Sequence, residues 1–152
     1  MVKRLNSVWI ALILLRRFNM KGWKVFKVRE GKLCSLFRCV GSLDGGIEFI
    51  EGKWNYPHLS CGPLTVLKSR RAARFLAANT DSTSRSSMRI RRCIYLTSRF
   101  DSVWTVYHCK RPISYLESQN PALLIKGQTD LASAVWICPE PSHHKKIKRG
   151  RR

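Results

Sequence analysis

Acidic side chains are scarce in this sequence: nine Asp and Glu stand among 152 residues, scattered so that no two form a local pair. General acid and base catalysis by two facing carboxylates therefore has no footprint in the chain. Glycine-rich phosphate loops are missing too, since Asp44-Gly45-Gly46 reads as a turn and belongs to no phosphate-cradling motif. The lack of any Cys-x-x-Cys removes the strongest zinc signature. The apolar run from Val8 to Leu15 would rise only about 12 Å as a helix, against a hydrocarbon core of about 30 Å, which excludes a membrane span there. No small-residue cleavage site follows that run. Arg16-Arg17 and Phe18-Asn19-Met20 stand in its place, so the stretch does not read as an export signal.

Positive charge is abundant. Twenty-nine Lys and Arg give a net charge of +20 and a pI near 10.6. Six of these residues lie from Lys145 to Arg152 and four in the first seventeen positions. The span from Lys21 to Pro141 still holds 19 basic residues against all nine acids, a balance of +10 that repels itself and favours a polyanionic partner. The same span is not polar throughout. With 44% hydrophobic residues, five Trp, four Tyr and six Phe, the chain has enough apolar material to close one core. We therefore expect a small single α+β domain over residues 20–141, built as an antiparallel sheet of hairpins with one packed helix. A basic and apolar extension, 1–19, precedes it, and a disordered basic tail, 142–152, follows it.

Patterning places the elements. Trp23, Val25 and Lys27 alternate with Lys24, Phe26 and Val28 as a strand, and Glu30-Gly31 is a turn leading into a second strand over Lys32 to Val40. After a loop at Gly41 to Gly46, a short strand is expected at Ile47 to Ile50. Residues 51–63 read as irregular and Leu64 to Leu67 as a strand. Ser69 is placed to cap a helix over 70–78, with Ala72, Ala73, Leu76 and Ala77 at helical spacing and Asn79 as its stop. Met88 to Thr97 and Val103 to Cys109 read as a second hairpin, and Leu123 to Lys126 as a strand. Leu131 to Cys138 stays ambiguous.

Two arginine clusters are the leading candidates for chemistry. Arg70, Arg71 and Arg74 occupy the first turns of the expected helix, where the macrodipole disfavours cations, so a phosphate backbone would compensate; the alternative is a solvated face whose stems cover apolar surface. Arg89, Arg91 and Arg92 lie on the Met88 strand, with Arg89 and Arg91 sharing a face. Beside Tyr95, Trp104 and Tyr107 they could form a basic sheet with aromatic platforms for single strands, or the rings could be core. The spacing of Cys34, Cys39, His58 and Cys61 matches a small zinc site in arithmetic, but alternation sends Cys34 and Cys39 to opposite faces, so no metal ligand is assigned and buried reduced thiols are the expected state. His108 and Cys109 also face apart, which denies them a nucleophile and base pairing.

Lys21-Gly22-Trp23-Lys24-Val25-Phe26-Lys27-Val28-Arg29-Glu30-Gly31-Lys32-Leu33, with Cys61-Gly62-Pro63-Leu64-Thr65-Val66-Leu67 and the alanine and arginine rich helix after it, resembles small uncharacterised proteins encoded by phages and mobile elements, over about residues 21–76. The resemblance implies a fold that begins at Met20. It transfers no activity and no functional residue.

The expected function is non-catalytic, mostly sequence-independent binding of DNA or RNA through Arg70, Arg71, Arg74, Arg89, Arg91 and Arg92, together with Lys145, Lys146, Lys148, Arg149, Arg151 and Arg152 of the tail. No cofactor and no catalytic residue is expected, and a reducing intracellular compartment is favoured over secretion. Three alternatives stay open. Residues 1–19 could hold the chain on an anionic membrane surface or a protein partner, His58 and Cys61 could serve a metal-stabilised domain or small enzyme, or the chain could have no evolved activity.

Overall fold

A computed structural model of the chain describes residues 19–36, 47–57, 62–80, 87–104 and 110–140. Its first strand, β1 (Asn19–Arg29), begins before the expected start and runs into a two-residue turn in which Glu30 and Gly31 both take positive φ, 50° and 75°. That pair of left-handed residues gives the twist a tight hairpin needs, and it sets Arg29 opposite Lys32 at the head of β2 (Lys32–Ser35). β3 (Glu48–Phe49) continues the sheet beyond β2. β4 (Trp54–Asn55) forms inside the stretch read from sequence as irregular, and β5 (Leu64–Leu67) lies where it was expected.

The helix α1 (Arg70–Asn79) starts as its sequence prescribes, with the Ser69 Oγ accepting a hydrogen bond from the Ala72 amide at 3.2 Å. Thr80 closes it, its amide and hydroxyl both donating to the Leu76 carbonyl. β6 (Met88–Thr97) has the expected bounds, but its partners differ from expectation. It forms no hairpin with the following strand. β7 (Ser102–Trp104) pairs instead with β8 (Lys110–Pro112), and β6 lies between β1 and β9 (Thr129–Ile137). A second helix, α2 (Ile113–Gln119), was not foreseen.

The pairing closes on itself. β1 runs antiparallel to β6 from Asn19↔Leu96 to Lys27↔Met88, β6 joins β9 from Cys93↔Ile137, and β9 joins β5 from Ala132↔Leu64 to Thr129↔Leu67. β5 then returns to β1 at Trp23↔Leu67. The result is a closed antiparallel barrel in a small, mostly β domain with two helices among the described residues. Closure removes the open edges that a flat sheet of hairpins would leave on β1 and β9.

Alternation along each strand builds two clusters. On one face, Phe26, Leu64, Val66, Cys93, Tyr95, Ala132, Val135 and Ile137 form the barrel interior together with Phe49. On the other, Val25, Leu67 and Met88 share a cluster with Ala72, Ala73 and Leu76 of α1 and with Leu124. Each large apolar side chain buried this way contributes about 1.5–3 kcal/mol. The Tyr95 hydroxyl, at the end of its buried ring, donates to Asp130 Oδ2 at 2.8 Å, so the core's largest polar tip is satisfied.

Asn55 ties the β3–β4 turn to the barrel. Its side-chain oxygen accepts from the Ile50 amide at 2.8 Å, and its amide group donates to the Ile50 and Val135 carbonyls at 3.0 and 3.2 Å. Asn55→Ala would remove the buried bond to the Val135 carbonyl and the two part-buried bonds to Ile50, and we expect a loss of about 1–3 kcal/mol in urea denaturation. A change below about 0.5 kcal/mol would show that the turn is held by its backbone alone.

Candidate functional site

The β1–β6 register sets Trp23 opposite Arg92 and Lys21 opposite Ile94, on the barrel wall away from the interior. Arg70, the first residue of α1, reaches the same place and holds its guanidinium carbon 5.4 Å from the centroid of the Trp23 ring. These residues, with Ile90 and the segment Cys138-Pro139-Glu140, line a groove of about 510 Å³. Its floor is apolar, from Trp23, Ile90 and Ile94, and its rim is cationic, from Lys21, Arg70 and Arg92. Lys21 and Arg92 have no carboxylate partner among the described residues.

Two features make that rim electropositive. The first turn of α1 contains no acidic residue, so the positive end of its dipole is reinforced by Arg70 and Arg71 with no carboxylate in that turn to neutralise it. The acidic residue that does line the groove, Glu140, is drawn to Arg91, its Oε1 lying 3.3 Å from Nη1. Arg91 is held from its other side by Glu51. Its Nε and Nη1 are buried without a hydrogen-bond acceptor among the described residues, so the contact with Glu140 is electrostatic and not a directed hydrogen bond.

The expected sites are thus divided by the fold. Arg70 and Arg92, distant in sequence, meet in the groove, and Arg91 stands at its edge between two carboxylates. Arg71 and Arg74 are exposed on α1 away from the groove lining, and Arg89 turns its Nη1 to the neighbouring Met88 carbonyl at 3.0 Å. Register explains the split of the second cluster: Arg89 and Arg91 pair with Phe26 and Lys24 on the inner face, Arg92 with Trp23 on the outer one. Tyr95 is no platform for a base, being 1% exposed inside the barrel. Trp104 lies in β7, which pairs with β8 and not with the arginine strand.

Tyr107, His108 and Cys109, the basic tail from Lys145 to Arg152, and Cys39, His58 and Cys61 of the zinc arithmetic all lie outside the described residues. So do positions 1–18. Cys34, half-buried in β2, is free, as are the buried Cys93 and the half-buried Cys138. Burial pushes the Cys93 thiol up to about 12, which makes it a poor nucleophile at neutral pH. Among the described residues no helix is long and apolar enough to cross a membrane.

Sequence reasoning missed Lys21 and Trp23. Trp23 was on the correct face of its strand, beside Val25, but only the register brings Arg92 across from it and only the α1 start brings Arg70 over it. A second depression of about 430 Å³ lies by Pro57, Phe100 and Ser133, and among the described residues Lys110 is the one cation that lines it. No known protein family, curated protein or solved structure matches this chain.

Proposed function

We propose that the protein binds nucleic acid without catalysis, chiefly by phosphate contacts from Lys21, Arg70 and Arg92 around the groove, with the basic tail from Lys145 to Arg152 adding sequence-independent affinity. The observation that carries this reading is the gathering of Lys21 of β1 and Arg92 of β6 beside Arg70 at the start of α1, around a groove whose one carboxylate among the described residues is drawn to Arg91. Bringing these charges together costs repulsion that a neutral ligand would not relieve, whereas a phosphate backbone would. Arg91, enclosed by Glu51 and Glu140, shapes the groove edge and contributes little to phosphate binding.

The test is a salt series on the full chain with labelled nucleic acid. Affinity should fall linearly with log salt concentration, and an Arg70→Glu, Arg92→Glu double variant should bind at least about tenfold more weakly, with a slope shallower by about 1.4–1.8. Binding that ignores salt, or a variant whose slope matches the wild type, would defeat the proposal for this groove.

A further inference from the structure

We infer that the groove takes unpaired nucleic acid, with one base lodged against the Trp23–Arg70 stack and its flanking phosphates on Lys21, Arg92 and the edge of the Arg70 guanidinium; this rests on the nucleic-acid reading above. The floor decides the matter. Trp23 and Ile90 pack in part against the cluster under α1, yet together with Ile94 they still present apolar surface to the groove between its cations, which a surface that only tracks phosphates does not need. In a duplex the faces of the bases are covered by their neighbours and only edges, sugars and phosphates are presented outward. A single strand can turn a base face into such a depression.

The dimensions and the rigidity of the floor agree. About 510 Å³ is room enough for one nucleotide. Trp23 is paired through its backbone with Arg92 on β6 and with Leu67 on β5, at the point where the barrel closes, so its ring is carried on a fixed wall. Stacking on a fixed ring loses little side-chain freedom on binding. The Arg70 guanidinium lies 5.4 Å from the indole centroid, and both guanidinium and indole are surfaces on which bases stack.

Fluorescence anisotropy of the full chain with labelled oligothymidine, and with an abasic strand of the same length, tests the inference because the two probes carry the same phosphates and differ only in bases. Oligothymidine should bind at least about tenfold more tightly, and an unlabelled duplex should compete more weakly per phosphate than oligothymidine. Trp23→Leu should erase the preference for the strand with bases, whereas Arg92→Ala should weaken both strands alike. Thermal unfolding of Trp23→Leu shows whether the barrel is intact; should it not fold, the comparison of the two strands on the wild-type chain decides alone. Equal, salt-sensitive affinity for both strands, or a duplex that competes as well as oligothymidine, would overturn the inference and leave the nucleic-acid reading standing. Affinity for none of the probes would overturn both.

Discussion

Gly22→Val should abolish the cooperative unfolding transition of this protein at room temperature, or lower its stability by more than about 3 kcal/mol if a folded population survives. The reason is the closeness of three strands at one point. A Cβ placed on Gly22 would stand 2.6 Å from Val66 Cγ1, 2.9 Å from Tyr95 Cε1 and 3.1 Å from the Leu67 carbonyl oxygen. The first two belong to side chains fully or almost fully buried in the barrel interior, and the third is backbone, so none can move aside cheaply. No left-handed backbone is involved; the constraint is space, where β1 passes β5 to close the ring. Gly22→Ala should already cost about 1–3 kcal/mol. Adding Val66→Ala to it would remove the nearest contact, so the double variant should be more stable than the sum of the two single losses implies, by about 1 kcal/mol, measured by urea denaturation. Additive losses would mean that the strands separate to admit the methyl group and that closure at this point is loose.

How much of this was legible follows from what each residue's neighbours are. β1, β5, β6 and α1 were readable because their signals are local: alternation in Trp23 to Val28, the Ser69 cap, and the apolar spacing of Ala72, Ala73 and Leu76. β9 was ambiguous for a physical reason. Leu131, Ala132, Ala134, Val135 and Ile137 are all buried, so this strand is covered on both faces and shows no period of two. Leu123 to Lys126 misled because its apolar run serves a turn: the Asn120 carbonyl accepts from the amides of both Leu123 and Leu124, which folds the chain back and buries Leu124. The pairing of β6 with β1 and β9 was out of reach because a hairpin argument joins sequence neighbours, whereas a closed barrel joins strands separated by a helix and a small second sheet. The groove inherits the same limit. Arg70 and Arg92 were identifiable as charges, but their meeting over Trp23 is a property of register.

Lys24 is the position where charge and fold conflict most directly, and it should give the protein an alkaline stability optimum. The side chain sits on the inner face of β1 between Gly22 and Phe26, 5% exposed, and donates to the Thr65 carbonyl at 2.7 Å. Its nitrogen lies 4.9 Å from the centroid of the Phe49 ring and 5.9 Å from that of Phe26; burial lowers its pKa to about 8, against the opposing influence of the nearby Cys93. Holding the ammonium inside at pH 7 therefore costs about 3 kcal/mol relative to the unfolded chain, whose lysine titrates near 10.5. Between about pH 8 and 10.5 the unfolded chain binds the proton that the folded one has released, so stability rises with pH in that window. Cys93 opposes it. Its thiol moves from 9.0 up to about 12 on burial, so above pH 9 the folded chain holds a proton that the unfolded one loses, and stability falls. Tyr95, raised by burial and by its bond to Asp130, adds to that fall above pH 10. Stability should climb by about 1 kcal/mol from pH 7 to 9, level near pH 9–10 and decline beyond. Lys24→Met keeps a flexible apolar chain in the same space and removes the charge. It should be more stable than the wild type by about 2 kcal/mol at pH 7, an advantage that shrinks to about 1 kcal/mol by pH 9 as the wild-type amine becomes neutral. Urea denaturation of both proteins across this range reads the difference directly. Parallel profiles for the two proteins would show that Lys24 reaches solvent, and that the barrel interior tolerates its charge through access to water.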